Sequence, residues 1–288
     1  MIIQPEIEDI RRIIAGWQRQ HLSICLVPTM GYFHEGHISL MRRGRQRADK
    51  VVVSLFVNPS QFGPEEDLDN YPRDLDGDSQ QAREAGVDLL FCPAASDMYN
   101  DDHQTTVEVS SLSQGMCGAD RPVHFRGVAT IVTKLFNIIT PDTAIFGEKD
   151  FQQLVIIKKM VSDLHLPIEI IGHEIIREPD GLAMSSRNAY LDSQERSIAP
   201  VLYKALDMIR HEVMTSETVC ESKPLLTAAE QYICQHPQCA IDYLTIVDPS
   251  TLQPQSKIDQ VCRVAGAIKI SKRTRLIDNL ELIPASSL

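Results

Sequence analysis

Residues 28–37, Pro-Thr-Met-Gly-Tyr-Phe-His-Glu-Gly-His, contain two histidines three positions apart. The segment follows an apolar run and precedes a stretch with helical spacing, which predicts a turn between a buried strand and a helix. Backbone N–H groups and the positive end of the helix dipole then face one point, which favours an anion. In their imidazolium forms, His34 and His37 would donate hydrogen bonds to the charge that builds on a triphosphate during displacement. Alone, an H-x-x-H pair also fits two surface histidines on a turn.

Two further segments carry polar side chains that suit a small anionic or hydroxylated ligand. Asn58 and Gln61 follow the second apolar run, and their amides can hydrogen-bond hydroxyls and carboxylates without adding charge. Arg121 and His124 lie ahead of a helix, where they could hold a carboxylate or a phosphate. An ordinary Asn-Pro turn and a solvated polar loop are the alternative interpretations of these two segments.

Two later segments could contact the phosphates and the ribose of a nucleotide. Lys149 could meet a phosphate, and Asp150 could cap the following helix or bind a ribose hydroxyl. Ser185, Ser186 and Arg187 follow an Asp-Gly turn signal and could form a mobile lid over a triphosphate. A charged capping turn and a plain domain-joining loop are the alternatives. The sequence has neither a G-x4-G-K-[ST] loop nor a G-x-G-x-x-G fingerprint.

Alternating strands and helices must position these segments. Nearly unbroken β-branched runs predict buried parallel strands, and amphipathic stretches between them predict helices. The predicted strands are 22–27, 51–57, 88–92 and 143–146, and the predicted helices are 37–47, 128–139 and 151–164. The alternation predicts an α/β fold with a doubly wound parallel sheet that binds ligands at the carboxyl ends of its strands.

The character of the chain changes after about residue 176. Helical spacing recurs at 193–212 and 225–234, and strand-like runs follow at 241–247 and 261–270. We therefore predict a larger domain at 1–175 and a smaller C-terminal α+β domain at 176–288.

The composition excludes several classes of protein. The net charge of -11 argues against a nucleic-acid partner, which needs a basic face to neutralise phosphates. The sequence has no run of about 20 apolar residues and no signal-peptide pattern at its start, so we expect no membrane segment. Seven scattered cysteines predict reduced thiols in a soluble cytoplasmic protein. Cys234, His236 and Cys239 lack the paired spacing of zinc ligands, so we expect structural or incidental cysteines there, with a zinc site as the minor alternative.

Taken in order, these segments resemble the pantothenate synthetase (pantoate–β-alanine ligase) family. The motifs P-T-M-G-x-x-H-E-G-H, V-N-P-x-Q-F, H-F-R-G-V-x-T, F-G-x-K-D and D-G-L-x-x-S-S-R-N match residues 28–37, 57–62, 124–130, 146–150 and 180–188. The matches span most of the first two-thirds of the chain. Tyr32, Phe33 and Val123 depart from the residues usual in the family.

The resemblance implies a Rossmann-like fold of the H-x-G-H nucleotidyltransferase superfamily, with residues 185–187 similar to a degenerate K-M-S-K-S signature. It implies an ATP-dependent ligase that condenses (R)-pantoate with β-alanine through a pantoyl adenylate, releasing pantothenate, AMP and pyrophosphate. Residues 1–175 would be the catalytic domain that binds ATP and pantoate, and residues 176–288 a lid domain. Mg²⁺ would accompany ATP, and a homodimer is expected, with no nucleic-acid or membrane partner.

By the same resemblance, His37 would be the catalytic histidine, with His34 and Lys149 beside it. The residues that would bind ATP are Met30, Gly31, Tyr32, Phe33, His34, Glu35, Gly36, His37, Gly147, Glu148, Lys149, Asp150, Ile176, Met184, Ser185, Ser186 and Arg187. The residues that would bind pantoate are Gln61, Gln153, Asn58 and His124, and Gln61 would also bind β-alanine. No residue is implied as a metal ligand.

Two other functions stay open from the residues alone. A nucleotidyltransferase would stop at a nucleotidylated product without forming an amide, whereas Gln61 and Gln153 favour a site for a small polar acid. A catalytically silent nucleotide-binding module would not need a charged set such as His37, Lys149 and Arg187. A tRNA synthetase is disfavoured by the acidic charge and the absence of an evident basic module.

Overall fold

The computed structural model describes residues 1–64 and 66–285, which form two compact units. The first unit consists of Met1–Ser113, Arg121–Glu148 and Ile156–Glu174, and the second of Gln114–Asp120, Lys149–Val155 and Ile175–Leu288. Two short segments from the predicted 1–175 part of the chain therefore belong to the second unit. The division into 1–175 and 176–288 stays a prediction, and its last residues, 286–288, lie outside the described part.

Strands and helices alternate through the first 173 residues. In chain order they are β1 (Ile2–Gln4), α1 (Ile7–Arg19), β2 (Ile24–Thr29), α2 (Glu35–Arg47), β3 (Lys50–Leu55), α3 (Leu75–Glu84), β4 (Leu89–Phe91), α4 (Ala95–Met98), α5 (Cys117–Asp120), α6 (His124–Ile139), β5 (Thr143–Gly147), α7 (Phe151–Asp163) and β6 (Glu169–His173). Short 3-10 turns lie at Pro59–Gln61 and Glu148–Asp150.

Six strands of the first unit form one parallel sheet in the order β1-β4-β3-β2-β5-β6. The central strands β2 and β3 read ICLVPT and KVVVSL, and their β-branched runs are buried, as expected in an all-parallel sheet. The strand order reverses beside β2, which pairs with β3 on one side and β5 on the other. Ligands of such sheets bind outside the carboxyl ends of the strands at this switch point. The predicted Rossmann-like doubly wound sheet is confirmed.

Helices and antiparallel strands make up the remainder of the chain. In chain order they are α8 (Ser193–Ile198), α9 (Val201–Thr215), β7 (Cys220–Glu221), α10 (Ser222–Cys234), β8 (Cys239–Val247), β9 (Lys257–Ile258), β10 (Cys262–Ile270) and β11 (Thr274–Leu282), with a 3-10 helix at Ser186–Tyr190. One antiparallel sheet has the order β11-β10-β8, and β7 pairs with β9. Leu202 and Ile209 of α9 share a buried apolar cluster with Val264 and Ile268 of β10. The predicted smaller α+β part of the fold is confirmed.

Two features of this part differ from the sequence prediction. The helix predicted over 193–212 is divided into α8 and α9 at Pro200, because proline has no N–H to donate and its ring collides with the preceding turn. The sequence pattern also did not reveal β11, which buries three successive residues, Asp278, Asn279 and Leu280, the first of them charged.

The structure bears on the membrane and thiol predictions as well. In the part of the chain that the structure describes, no helix is both long and apolar enough to cross a bilayer. All seven cysteines carry free thiols, and burial raises the pKa of Cys25 and Cys92 to about 11. Those two thiols stay protonated near neutral pH and are therefore poor nucleophiles.

Helix α6 packs so closely on the turn at Pro59–Gln61 that only glycine fits at position 127. A Cβ on Gly127 would collide with the Ser60 carbonyl and lie 2.7 Å from the Gln61 Cα, both of them backbone groups. We expect Gly127→Ala to lower the free energy of unfolding by about 1–3 kcal/mol, since well-packed sites tolerate extra methyls poorly. Chemical denaturation monitored by circular dichroism measures this change.

Gly16 of α1 provides the matched control, because a Cβ there would meet no atom within 4 Å. Gly16→Ala should raise the free energy of unfolding by about 0.5–1 kcal/mol through helix propensity. The two glycine-to-alanine substitutions should therefore change the free energy of unfolding in opposite directions. Equal effects in the two variants would contradict the close packing described for Gly127.

Candidate active site

Both histidines of the H-x-x-H pair lie at the amino end of α2, where they cap the helix. The His34 Nδ1 accepts a hydrogen bond from the Gly36 N–H at 3.1 Å, and the His37 Nδ1 accepts one from the His34 N–H at 3.4 Å. A ring nitrogen that accepts cannot carry the proton, so each imidazole is the neutral tautomer with its hydrogen on Nε2. The ring centroids are 4.1 Å apart. The two histidines are therefore adjacent neutral Nε2–H donors, whereas the sequence interpretation used their imidazolium forms.

The turn before this helix is held by Asp78 of α3. Gly31 and Tyr32 have left-handed backbone conformations, with φ of 86° and 54°, and a non-glycine residue adopts this conformation at a cost of roughly 1–2 kcal/mol. The Asp78 carboxylate accepts the Tyr32 N–H at 2.7 Å and the Phe33 N–H at 2.6 Å. Burial raises the pKa of Asp78, and these two hydrogen bonds oppose the increase. Asp78 thus offsets the strain and fixes the course of the turn.

The buried Asn58 and Gln61 form one contact group with the half-buried Met30. The Asn58 Nδ2 donates to the Gln61 Oε1 at 3.1 Å and to the Gly127 carbonyl at 3.2 Å. The Gln61 Nε2 donates to the Met30 Sδ at 3.0 Å. Because a thioether sulfur is a weak acceptor, this N–H can be redirected to a carboxylate at little cost. The structure therefore brings together three predicted binding residues around one available amide donor.

The backbone of Gln61 is held from the start of α6. The His124 Nδ1 hydrogen-bonds to the Gln61 carbonyl at 2.9 Å, and Arg121 donates to the same carbonyl at 3.3 Å. Arg121 also forms an ion pair with Glu66, in which its Nε donates to Oε1 at 2.8 Å. Burial by itself raises the pKa of Glu66, but the hydrogen bond and charge of Arg121 outweigh it and lower the pKa overall. Arg121 is therefore paired with a carboxylate of the protein.

Lys149 lies in the second unit, within the 3-10 turn that precedes α7. Its Nζ is 3.5 Å from the Asp150 Oδ2, and its side chain is 22% exposed. The Asn279 Nδ2 of β11 donates to the Lys149 carbonyl at 3.0 Å. The lysine backbone is therefore fixed by a long-range contact, while its ammonium group lies near the Asp150 carboxylate and interacts electrostatically with Asp278.

Two glutamines follow in the first turn of α7, and they differ in burial. Gln152 is buried and bridges backbone groups of the 115–117 segment, donating to the Gly115 carbonyl at 2.8 Å and accepting the Cys117 N–H at 3.1 Å. Gln153, the residue predicted to bind pantoate, is half-buried. Gln152 therefore holds local structure, and Gln153 is the one of the pair that solvent reaches.

Residues 176–188 form a short hydrogen-bonded hairpin. The Met184 N–H donates to the Ile176 carbonyl at 3.0 Å, and Arg177 and Ala183 form an antiparallel bridge. The Ser185 Oγ accepts the Arg187 N–H at 3.3 Å and thereby caps the following 3-10 helix. The predicted lid segment thus has a defined conformation, with Ser185 as its helix cap.

The remaining predicted residues occupy the ends of these elements. Glu35 and Gly36 open α2, Gly147 ends β5, Glu148 begins the 3-10 turn, and Ser186 is buried at the start of the later 3-10 helix. Sequence reasoning missed Asp78 and Asn279, which hold the two predicted nucleotide segments of their own units. No local signal could have revealed them, because their partners lie 45 and 130 residues away in the chain.

The sequence implied no metal ligands, and the arrangement of the possible ligand side chains can be compared with that expectation. Among residues 1–64 and 66–285, no group of three or more histidines, cysteines, aspartates or glutamates is arranged to hold a metal ion. Magnesium in nucleotide enzymes is bound largely by phosphate oxygens and water.

The sheet topology and the H-x-G-H turn at the start of α2 define an α/β protein with a Rossmann-like parallel sheet. The sequence model of the Pantoate-beta-alanine ligase family matches residues 2–281. The chain belongs to this family.

Relatives and solved structures agree with the assignment over the full length. A pantothenate synthetase of Oleidesulfovibrio alaskensis is 51% identical, covering 96% of this chain and 98% of the relative, and one of Clostridium botulinum is 50% identical, covering 97% and 98%. The crystal structure of pantothenate synthetase from Thermus thermophilus aligns with a TM-score of 0.93 and 44% identity over 99% of this chain and 100% of that one. Pantoate-beta-alanine ligase from Francisella tularensis, complexed with beta-gamma ATP and beta-alanine, aligns with a TM-score of 0.80 and 33% identity over 97% of both chains.

We expect Asp78→Asn to weaken the turn that carries the H-x-x-H pair. The amide keeps one acceptor oxygen but turns an N–H donor toward the second backbone N–H, so one charge-assisted bond is lost and a donor clash replaces it. The free energy of unfolding should fall by about 1–3 kcal/mol. Thermal and chemical denaturation measure the loss.

Asp76→Asn is the matched control, since Asp76 is an exposed aspartate on the same helix. It should change the free energy of unfolding by less than about 0.5 kcal/mol. If Asp78→Asn were as stable as Asp76→Asn, Asp78 would not hold the turn.

Proposed function

We infer that this chain catalyses the ATP-dependent condensation of pantoate with β-alanine to give pantothenate, AMP and pyrophosphate. The observation that carries the inference is membership of the pantoate–β-alanine ligase family over residues 2–281. The paired imidazoles at the start of α2 and the buried amide of Gln61 supply the two kinds of group that this reaction requires.

In the first step, a carboxylate oxygen of pantoate attacks the α-phosphorus of ATP. The bond from that phosphorus to the bridging oxygen of the β-phosphate breaks, and pyrophosphate leaves. Negative charge grows on the phosphate oxygens as this bond breaks, and fixed donors stabilise that charge more than the ground state. His37 and His34 donate from Nε2, and Lys149 contributes a full positive charge.

The proposed ATP contacts follow the motif residues of each unit. Backbone N–H groups of residues 30–37 meet the phosphates, helped by the positive end of α2. Residues 147–150 contact the ribose and phosphates, and the backbone near Ile176 also contacts ATP. Met184, Ser185, Ser186 and Arg187 bind the triphosphate tail, with Arg187 neutralising its charge.

Pantoate is bound by neutral amides, because its carboxylate must stay a nucleophile. A lysine or arginine in contact with that carboxylate would stabilise it and reduce its reactivity. Gln61 donates its Nε2–H after releasing Met30, and Gln153 and Asn58 contact the remaining polar groups. His124 lines the same site through its contact with Gln61.

In the second step, the β-alanine amine attacks the acyl carbon of pantoyl adenylate. The new C–N bond replaces the C–O bond of the mixed anhydride, AMP leaves, and the amine loses a proton. Gln61 binds β-alanine as well. Residues 176–288 act as a lid that keeps water from the anhydride, which would otherwise hydrolyse.

The setting of the reaction is proposed from the same reasoning. Mg²⁺ enters with ATP and neutralises phosphate charge. The chain acts in the cytoplasm, where its seven free thiols stay reduced. It forms a homodimer without nucleic-acid or membrane partners, and sedimentation equilibrium of the purified protein measures the mass of the assembly.

The decisive experiment measures AMP, pyrophosphate and pantothenate from the purified protein with ATP, Mg²⁺ and pantoate, with and without β-alanine. Multiple turnovers to AMP and pantothenate only with both substrates are expected. Pyrophosphate release without amide formation would indicate a nucleotidyltransferase instead. No product under any condition would indicate a nucleotide-binding module without catalysis.

His37→Ala should slow adenylate formation at least ~100-fold at saturating ATP, since the lost donor acts on charge that develops in the transition state. The KM for ATP should change much less. Rapid-quench single turnovers without β-alanine measure the step directly. His211→Ala, at an exposed histidine of α9, is the control and should match the wild type. A wild-type single-turnover rate in His37→Ala would remove His37 from the mechanism.

Gln61→Glu should raise the KM for pantoate at least ~10-fold, because it removes a donor and places a carboxylate beside the substrate carboxylate. The KM for ATP should stay within about twofold. Gln46→Glu, which adds the same charge on an exposed face of α2, controls for net charge. Equal pantoate KM values in the two variants would show that Gln61 does not contact pantoate.

A further inference from the structure

Two adjacent buried polar residues of β11, Asp278 and Asn279, point to opposite faces of the C-terminal sheet. Asp278 is 4% exposed and Asn279 is 2% exposed. Alternation along a strand places Asp278 on the same face as Leu276 and Leu280, which belong to the apolar cluster of the second unit. A carboxylate on that face loses its hydration, so its contacts must compensate for it.

Arg177 provides that compensation and links Asp278 to the 176–188 hairpin. Its NH1 and NH2 donate to the two carboxylate oxygens at 2.6 and 2.9 Å. NH1 also donates to the Gly181 carbonyl at 3.0 Å, and the guanidinium stacks 4.4 Å above the Tyr203 ring. Gly181 has a left-handed φ of 94°, and a Cβ there would collide with Tyr203. Asp278 therefore fixes the base of the hairpin that carries residues 184–187.

Asn279 makes the corresponding link on the other face, to the segment that carries Lys149. Its Oδ1 accepts a hydrogen bond from the Arg263 NH1 at 2.7 Å, and its Nδ2 donates to the Lys149 carbonyl at 3.0 Å. A guanidinium only donates and a carbonyl only accepts, so the orientation of the amide is fixed. Arg263 also stacks 4.0 Å above the Phe151 ring, two residues after Lys149. Asn279 and Arg263 therefore hold residues 149–151 together.

We propose that Asp278 and Asn279 are positioning residues that set the spacing between Lys149 and the Ser185–Arg187 phosphate-binding segment. Consecutive residues of a strand are separated by a fixed rise of about 3.3 Å, so two loops attached to neighbouring positions keep a constant separation. A buried ion pair adds little net stability over apolar residues of the same volume, and its effect here is on geometry. The proposal rests on the proposed function, in which both segments bind the triphosphate.

The sharpest variant is Asn279→Asp, which keeps the size of the side chain and its contact with Arg263. It removes the donor to the Lys149 carbonyl and places a carboxylate oxygen against that carbonyl instead. Pantoyl adenylate formation at saturating ATP should slow at least ~10-fold, while the KM for β-alanine changes less than about twofold. Glu281→Gln is the control, because Glu281 lies on the same strand, is exposed and pairs with the same arginine.

A double-mutant cycle with Lys149→Ala separates positioning from a general structural effect. If Asn279 acts through Lys149, adding Asn279→Asp to Lys149→Ala should slow adenylate formation by less than about threefold. Equal effects of Asn279→Asp in the two backgrounds, or a wild-type rate in the single variant, would overturn the proposal. Inactive wild-type protein would instead overturn the proposed function, and an unchanged rate in Lys149→Ala would overturn the role of that lysine.

Asp278→Asn tests the other link and does not depend on the folding of the Asn279 variants. It is isosteric with the native residue and weakens the hydrogen bonds from Arg177. The KM for ATP should rise at least ~5-fold, with circular dichroism reporting a native fold. A native fold with an unchanged KM for ATP and an unchanged adenylation rate would remove Asp278 from the proposal.

Discussion

The first backbone N–H groups of α2 have no carbonyl partner within the helix, and the chemistry of the first unit depends on how they are satisfied. His34 and His37 each accept one backbone N–H through Nδ1, which fixes the tautomer of both rings. Asp78 accepts the two N–H groups of the preceding turn. The same constraint that ends the strand and begins the helix therefore leaves both imidazoles protonated at Nε2.

Neutral imidazoles have a consequence for the displacement at phosphorus. A neutral Nε2–H donor binds the ground-state triphosphate less strongly than an imidazolium would, while it still meets the growing charge on the phosphate oxygens. Interactions that strengthen only toward the transition state raise turnover, whereas uniform binding lowers only the KM. In the proposed mechanism, full positive charge is supplied by Lys149 and Arg187.

The sequence predicts the parallel sheet well, because its information there is local. The unbroken apolar runs of β2 and β3 and the H-x-G-H turn between β2 and α2 can be read directly from the chain. The predicted 193–212 helix is divided at Pro200, because the sequence prediction followed the helical periodicity of the apolar residues and gave too little weight to this proline. β11 was harder, since Asp278 interrupts its apolar alternation and can be explained only by a partner 101 residues away.

The residues of the candidate site also fall into two groups, those predictable from local sequence and those that depend on distant partners. His34, His37 and Gln61 follow the ends of predictable strands, so their neighbourhood could be inferred before the structure. Asp78 and Asn279 could not, because each acts on the backbone of a distant segment and leaves no motif around itself.

Burial of Asp278 gives the C-terminal sheet a role beyond packing. Burial raises the pKa of this carboxyl, and the hydrogen bonds and charge of Arg177 oppose the increase. A leucine at this position would continue the apolar face of β11 and avoid the desolvation cost. It could not, however, accept two hydrogen bonds from Arg177, and the hairpin at 176–188 would lose its attachment to the strand. Asp278 and Asn279 therefore stabilise the sheet less than apolar residues would, but they fix the geometry of the loops that carry Lys149 and residues 184–187. Transfer of a nucleotidyl group requires such fixed geometry.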